Sequence, residues 1–182
     1  MKIVPVINIS NVVQYKPLSR NTKGTRRILD DISDMAYDLN VPQEKILYMF
    51  AKFLAETVKH RIKVSVDKQQ VLGKPMKSVY KPLNNNYKKR KVPKNRNKFW
   101  VNTGFLVKNL KVYQARGTLY VGYPKYVKHK SSNVNMQMLI SFLEKGTKKQ
   151  PPRPLITPIV RSISKHIDEL YDMFKRELVK NM

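Results

Sequence analysis

The spacing of apolar positions divides the chain into two helical flanks around a middle with little period. Ile3, Val4, Val6, Ile7, Ile9, Val12 and Val13 make a β-branched start, read as a strand or extended arm. Pro5 marks it as an edge or irregular piece, and residues 14–24 read as a loop. From Thr25 to Leu39, residues Ile28, Leu29, Ile32, Met35, Ala36 and Leu39 recur every three or four positions, which predicts a helix. Asn40-Val41-Pro42 breaks it. A second helix is predicted from Pro42 to Lys63 on the stripe Ile46, Leu47, Phe50, Phe53, Leu54, Val58 and Ile62. At about 1.5 Å per residue it spans roughly 33 Å. Two adjacent amphipathic helices suggest an αα-hairpin or a bent pair.

Downstream the period fades. Residues 65–100 change character, and the stretch Lys81 to Lys98 shows neither helical nor strand spacing, so it reads as a long loop or arm. Phe105 to Tyr113 and Thr118 to Tyr123 alternate like a β-hairpin turned at Arg116-Gly117. Tyr126 to Asn133 reads as a second basic loop. Asn135 to Glu144 reads as a short helix stopped by Gly146, a C′ glycine. Pro151-Pro152-Arg153-Pro154 is extended, and Pro158 opens a last helix carrying Ile159, Val160, Ile163, Ile167, Leu170, Tyr171, Phe174 and Leu178. No internal repeat is present. The expectation is an α+β fold of one domain, residues 1–182. A small antiparallel β-sheet is packed by two N-terminal helices and a long C-terminal helix. Residues 1–24 form an N-terminal arm and 68–99 a long basic loop or arm.

Charge changes this picture most. Lys and Arg number 37 against 12 Asp and Glu, a net charge of +25 over 182 residues. A free chain of this charge repels itself and calls for an anionic partner. The charge is regional, with no acid between Asp67 and Glu144. Lys81, Lys88, Lys89, Arg90, Lys91, Lys94, Arg96 and Lys98 lie in one acid-free run and are the candidate contacts for DNA or an acidic protein. Tyr80, Tyr87, Phe99 and Trp100 border that run, the ingredients of single-strand binding, although Trp100 suits a core or subunit-interface role better. With no apolar period, the arm is expected to order only against an anionic surface.

Chemistry for an enzyme is sparse. There is no Cys, so thiolate nucleophiles, thiolate metal sites and disulfides are excluded. His60, His129 and His166 show no metal-ligand spacing, and Gly104, Gly117 and Gly122 form no phosphate-cradling fingerprint. Asp30, Asp34 and Asp38 stack on one helix face. They could hold Mg²⁺ or face solvent, but in so cationic a chain an intersubunit salt contact is their more natural use. No catalytic residue, metal ligand or cofactor is assigned. The N-terminus lacks the build of a signal peptide, and no apolar run is long enough to span a membrane.

Residues 100–180 carry a resemblance. The segment Val101 to Val112, with Thr103 and Gly104, resembles the "Thr-Gly-x-Leu" segment of the head–tail joining and tail-completion (minor tail protein Z-like) proteins of tailed bacteriophages. Leu139 to Thr147, with Glu144, Gly146 and Thr147, is similar to their "Glu-x-Gly-Thr" element, and Lys148 to Pro158, with Arg153 and Pro154, to their "Pro-x-Arg-Pro" run. The resemblance implies a structural virion protein without enzymatic activity. It would form a homo-oligomeric ring, hexamer or dodecamer, in the neck that joins the capsid connector to the tail. The implied partners are portal-side neck proteins and tail proteins, with genomic DNA in the channel as a possible contact. Arg153 is positioned for a bidentate bond across the turn, with Glu144 the obvious acceptor. The rival expectation is a basic nucleic-acid-binding protein outside the virion.

Overall fold

The computed structural model describes residues 23–101, 104–115, 118–124, 126–129 and 134–180. Residues 1–22 of the expected N-terminal arm, Thr103 and the Arg116-Gly117 turn therefore lie outside the described residues, while Lys23 and Gly24 open the first helix. The fold is α+β. Helix α1 (Lys23–Asp38) presents Ile28, Ile32 and Ala36 to the interior. It ends in a Schellman motif: Asn40 is left-handed (φ 50°), and the Val41 amide donates to the Ala36 carbonyl at 3.0 Å. Pro42 then precedes α2 (Gln43–Lys68), the spine of the molecule. Its buried stripe Ile46, Phe50, Leu54, Val58, Ile62 and Val66 packs against α1, against both C-terminal helices and against the second hairpin. The helix runs five residues past the predicted end at Lys63, because Val66 continues the stripe into the core.

A left-handed Gln69 (φ 53°) ends α2 and starts a small hairpin of β1 (Gln70–Val71) and β2 (Lys74–Pro75). Leu72 and Gly73 at its tip both have positive φ, 48° and 81°, as a type I′ turn requires. Helix α3 (Met76–Val79) buries Met76. The basic extension follows, and it is more ordered than its sequence suggests. Helix α4 (Asn85–Arg90) is capped by Asn84, whose side chain accepts from the Asn86 amide, and a 3-10 turn covers Pro93–Asn95. Leu83, Lys91 and Asn95 are buried, so the run packs onto the core of the protomer.

The second hairpin also differs in part. Phe105–Lys108 forms a helical turn, α5, entered through left-handed Gly104 (φ 80°) and closed by the Asn109 side chain donating to the Phe105 carbonyl at 2.8 Å. The strands are β3 (Lys111–Ala115) and β4 (Thr118–Gly122), antiparallel with Val112 opposite Val121. Helix α6 (Met136–Lys145) is capped by Asn135. The expected long C-terminal helix is two helices, α7 (Ile156–Lys165) and α8 (Ile167–Lys180). They part at His166, whose ring Nδ1 meets the Ser162 carbonyl at 2.8 Å while its amide turns to the Ile163 carbonyl. Phe50, Tyr171 and Phe174 pack with ring centroids 5.2 Å from Phe50, and Lys175 ties α8 to Asp31 of α1 at 2.7 Å.

Candidate functional site

The motif residues meet where the chain crosses from α6 to α7. Gly146 ends α6 with φ 75° and ψ −178°, a region open essentially to glycine alone. A Cβ there would lie 2.7 Å from the Pro152 nitrogen and 2.8 Å from the Gln150 carbonyl. Thr147 and Gln150 close a tight turn by reciprocal backbone hydrogen bonds. Three prolines, Pro151, Pro152 and Pro154, remove backbone donors from the crossing, and side chains from elsewhere take up its carbonyls. Trp100 Nε1 donates to the Arg153 carbonyl at 3.0 Å, and the Tyr80 hydroxyl to the Pro154 carbonyl at 2.7 Å. Trp100 does this from a left-handed backbone (φ 60°), an unusual conformation for a large side chain.

Glu144 is buried and caps α7. Its Oε1 accepts from the Leu155 and Ile156 amides at 2.6 and 2.7 Å, and its Oε2 from the Thr157 hydroxyl at 2.8 Å. This overturns the expected Glu144–Arg153 pair: the carboxylate serves the helix N-terminus, where aligned amides favour negative charge. It also explains why α7 begins at Ile156, two residues before Pro158, which sits in the first turn and needs no donor.

Arg153 is instead turned toward Phe99, its guanidinium 5.6 Å from the ring centroid. It lines a cavity of about 70 Å³ shared with Lys91, Tyr87, Trp100, Gln150 and His129 and otherwise walled by apolar side chains. Arg153 Nε is buried without a hydrogen-bond partner. Burial lowers the Arg153 pKa. Burial, and then the charge of Arg153, bring Lys91 down to about 8. The Lys91 ammonium donates to the Lys98 carbonyl and lies 5.6 Å from the Tyr87 ring centroid. Burial, with Glu144 nearby, pushes the Tyr80 phenol up.

The eight cations of the basic run thus divide. Lys81, Lys89, Arg90, Lys94, Arg96 and Lys98 are exposed and Lys88 is half-buried, while Lys91 belongs to the interior. None of them makes an ion pair among the described residues. Asp30, Asp34 and Asp38 are exposed on α1 and likewise make no ion pair among the described residues, whereas Asp31 between them does. No group of three or more His, Asp or Glu that could hold a metal occurs among the described residues. No helix among them is long and apolar enough to cross a membrane. Thr147 and Pro154 are exposed and shape the crossing through their backbone.

Sequence reasoning missed Gln69. Its side-chain amide pairs with the Phe99 backbone in both directions, Oε1 accepting from the amide at 2.6 Å and Nε2 donating to the carbonyl at 3.1 Å. A lone Gln after a helix carries no signal of a partner thirty positions away. No protein-family model, no curated protein and no solved structure matches this chain.

Proposed function

We propose that the protein is a structural subunit of a phage neck, a ring joining the capsid connector to the tail. The observation that carries this reading is the use made of the motif residues it rests on. Glu144, Gly146, Trp100 and Arg153 each serve one rigid crossing between α6 and α7, and their roles are those of a scaffold. A second feature agrees with it. One chain displays an exposed cationic run and, on α1, an exposed acidic stripe without ion pairs among the described residues. Two such surfaces on one subunit are complementary between copies, which is what a closed ring needs. The cations left over from contacts between copies then face either an adjacent acidic ring or the DNA in the channel.

Light scattering coupled to gel filtration, followed by negative-stain microscopy, tests this. Closed rings of six or twelve copies are expected. A chain that stays monomeric at high concentration and binds DNA with a steep salt slope, about 0.9 per phosphate contact on logarithmic axes, favours the second reading, a nucleic-acid-binding protein outside the virion. That reading rests on the +25 charge.

A further inference from the structure

We propose that the cavity bordered by Trp100, Lys91 and Arg153 is a binding site for one small oxyanion of phosphate size. This is independent of the neck reading. Among the described residues the buried charged side chains are Lys91, Arg153 and Glu144, two cations and one carboxylate. The carboxylate is committed to the α7 amides and the Thr157 hydroxyl, so it does not neutralise either cation by contact. No acid lies in sequence between Asp67 and Glu144, the stretch that contributes most of the cavity wall. Both cations line the same cavity, yet neither forms an ion pair among the described residues.

Burying an uncompensated charge is costly, and two cations held together cost more still. Arg153 is 4% exposed and keeps a buried Nε without a hydrogen-bond partner. The Arg153 guanidinium lies 5.6 Å from the Phe99 ring centroid, and its planar fork of N–H donors matches oxyanions. The Lys91 ammonium has three donors, of which the Lys98 carbonyl takes one. A volume of about 70 Å³ is several times the roughly 10–15 Å³ a cavity needs to hold one water, and so admits a group of a few heavy atoms. The apolar walls, Leu83, Leu106, Leu139 and Leu143 among them, offer the cations no competing acceptor and lower the local polarity, which strengthens the attraction.

The test is calorimetric titration of the full chain with sodium phosphate in Tris chloride at constant ionic strength. One phosphate per chain is expected. Lys91→Met and Arg153→Met should each weaken it at least tenfold, while Lys88→Gln/Lys89→Gln leaves it unchanged. Circular dichroism reports whether each variant folds. Should the interior variants not fold, acetylation of the wild-type chain decides: phosphate should slow modification of Lys91 severalfold and leave Lys89 unaffected. Absence of saturable binding overturns the proposal. So does binding at several weak sites that the Lys88→Gln/Lys89→Gln variant removes, or equal protection of both lysines.

Discussion

Gly146 concentrates two constraints at one residue. Its φ of 75° with ψ near 180° is denied to side-chain-bearing residues, and its missing Cβ leaves room for the Pro152 nitrogen. The strain alone is about 1–3 kcal/mol, and the clash with backbone atoms adds to it. Gly146→Ala should therefore destabilise the chain by about 3 kcal/mol or more in urea denaturation, and Gly146→Val further. A Gly146→Ala midpoint equal to that of wild type would refute this account of the turn. Lys91 makes a different prediction. Its folded pKa of about 8 lies below the usual 10.5, so between these values the unfolded chain binds the extra proton. Lys91's contribution to stability is fully present above pH 10.5 and is lost as pH falls through 8. Relative to Lys91→Met, wild-type stability should rise between pH 8 and 10.5, by about 2–3 kcal/mol at most. The comparison cancels the tyrosines Tyr80, Tyr123 and Tyr171, which burial pushes upward and which titrate equally in both chains. Chemical denaturation in phosphate-free buffer reads the difference, and a flat one would show that Lys91 is not desolvated.

At the scale of elements, the β1–β2 hairpin is closed by an unfavourable residue. Leu72 holds φ 48° at an exposed tip, where Asn-Gly is the preferred pair of a type I′ turn. Leu72→Asn should stabilise the chain by about 0.5–1 kcal/mol, seen as a higher thermal midpoint. The basic extension is integrated with the core. Leu83 packs inward, Lys91 and Asn95 are buried, and the Lys91 ammonium holds the Lys98 carbonyl just before Phe99 and Trp100. Deleting residues 84–97 should therefore lower the thermal midpoint by several degrees, because the segment covers the cavity beside Trp100 and Arg153. Unchanged melting of the deletion variant would restore the segment to the status of a detachable arm.

For the whole molecule the governing quantity is a charge of +25, against which copies can assemble only through local complementarity. Asp30, Asp34 and Asp38 provide an acidic strip of α1, and the exposed Lys89, Arg90 and Lys94 a cationic one. On the ring reading proposed above, Asp34→Lys should lower the mass found by light scattering without changing the circular dichroism of the protomer. An assembly of unchanged mass would remove the acidic strip from the interface.

Apolar periodicity determined α1, most of α2, α6 and the apolar faces of α7 and α8, because an amphipathic helix must bury one stripe whatever it packs against. Glu144, Gly146, Trp100 and Arg153 were also legible as a structural set, since glycine, proline and a buried aromatic punctuate the chain locally. Their partners were not. Glu144 goes to α7 rather than to Arg153, since three N-terminal amides and a hydroxyl converge on it once the proline crossing brings α7 back to α6. The order within residues 81–98 was hidden because single buried side chains, Leu83, Lys91 and Asn95, leave no period. The division of the basic run into an exposed face and one interior lysine follows from how the segment folds over Arg153. Composition supplied the charge, and only the tertiary structure decided which cations face water and which two share a cavity.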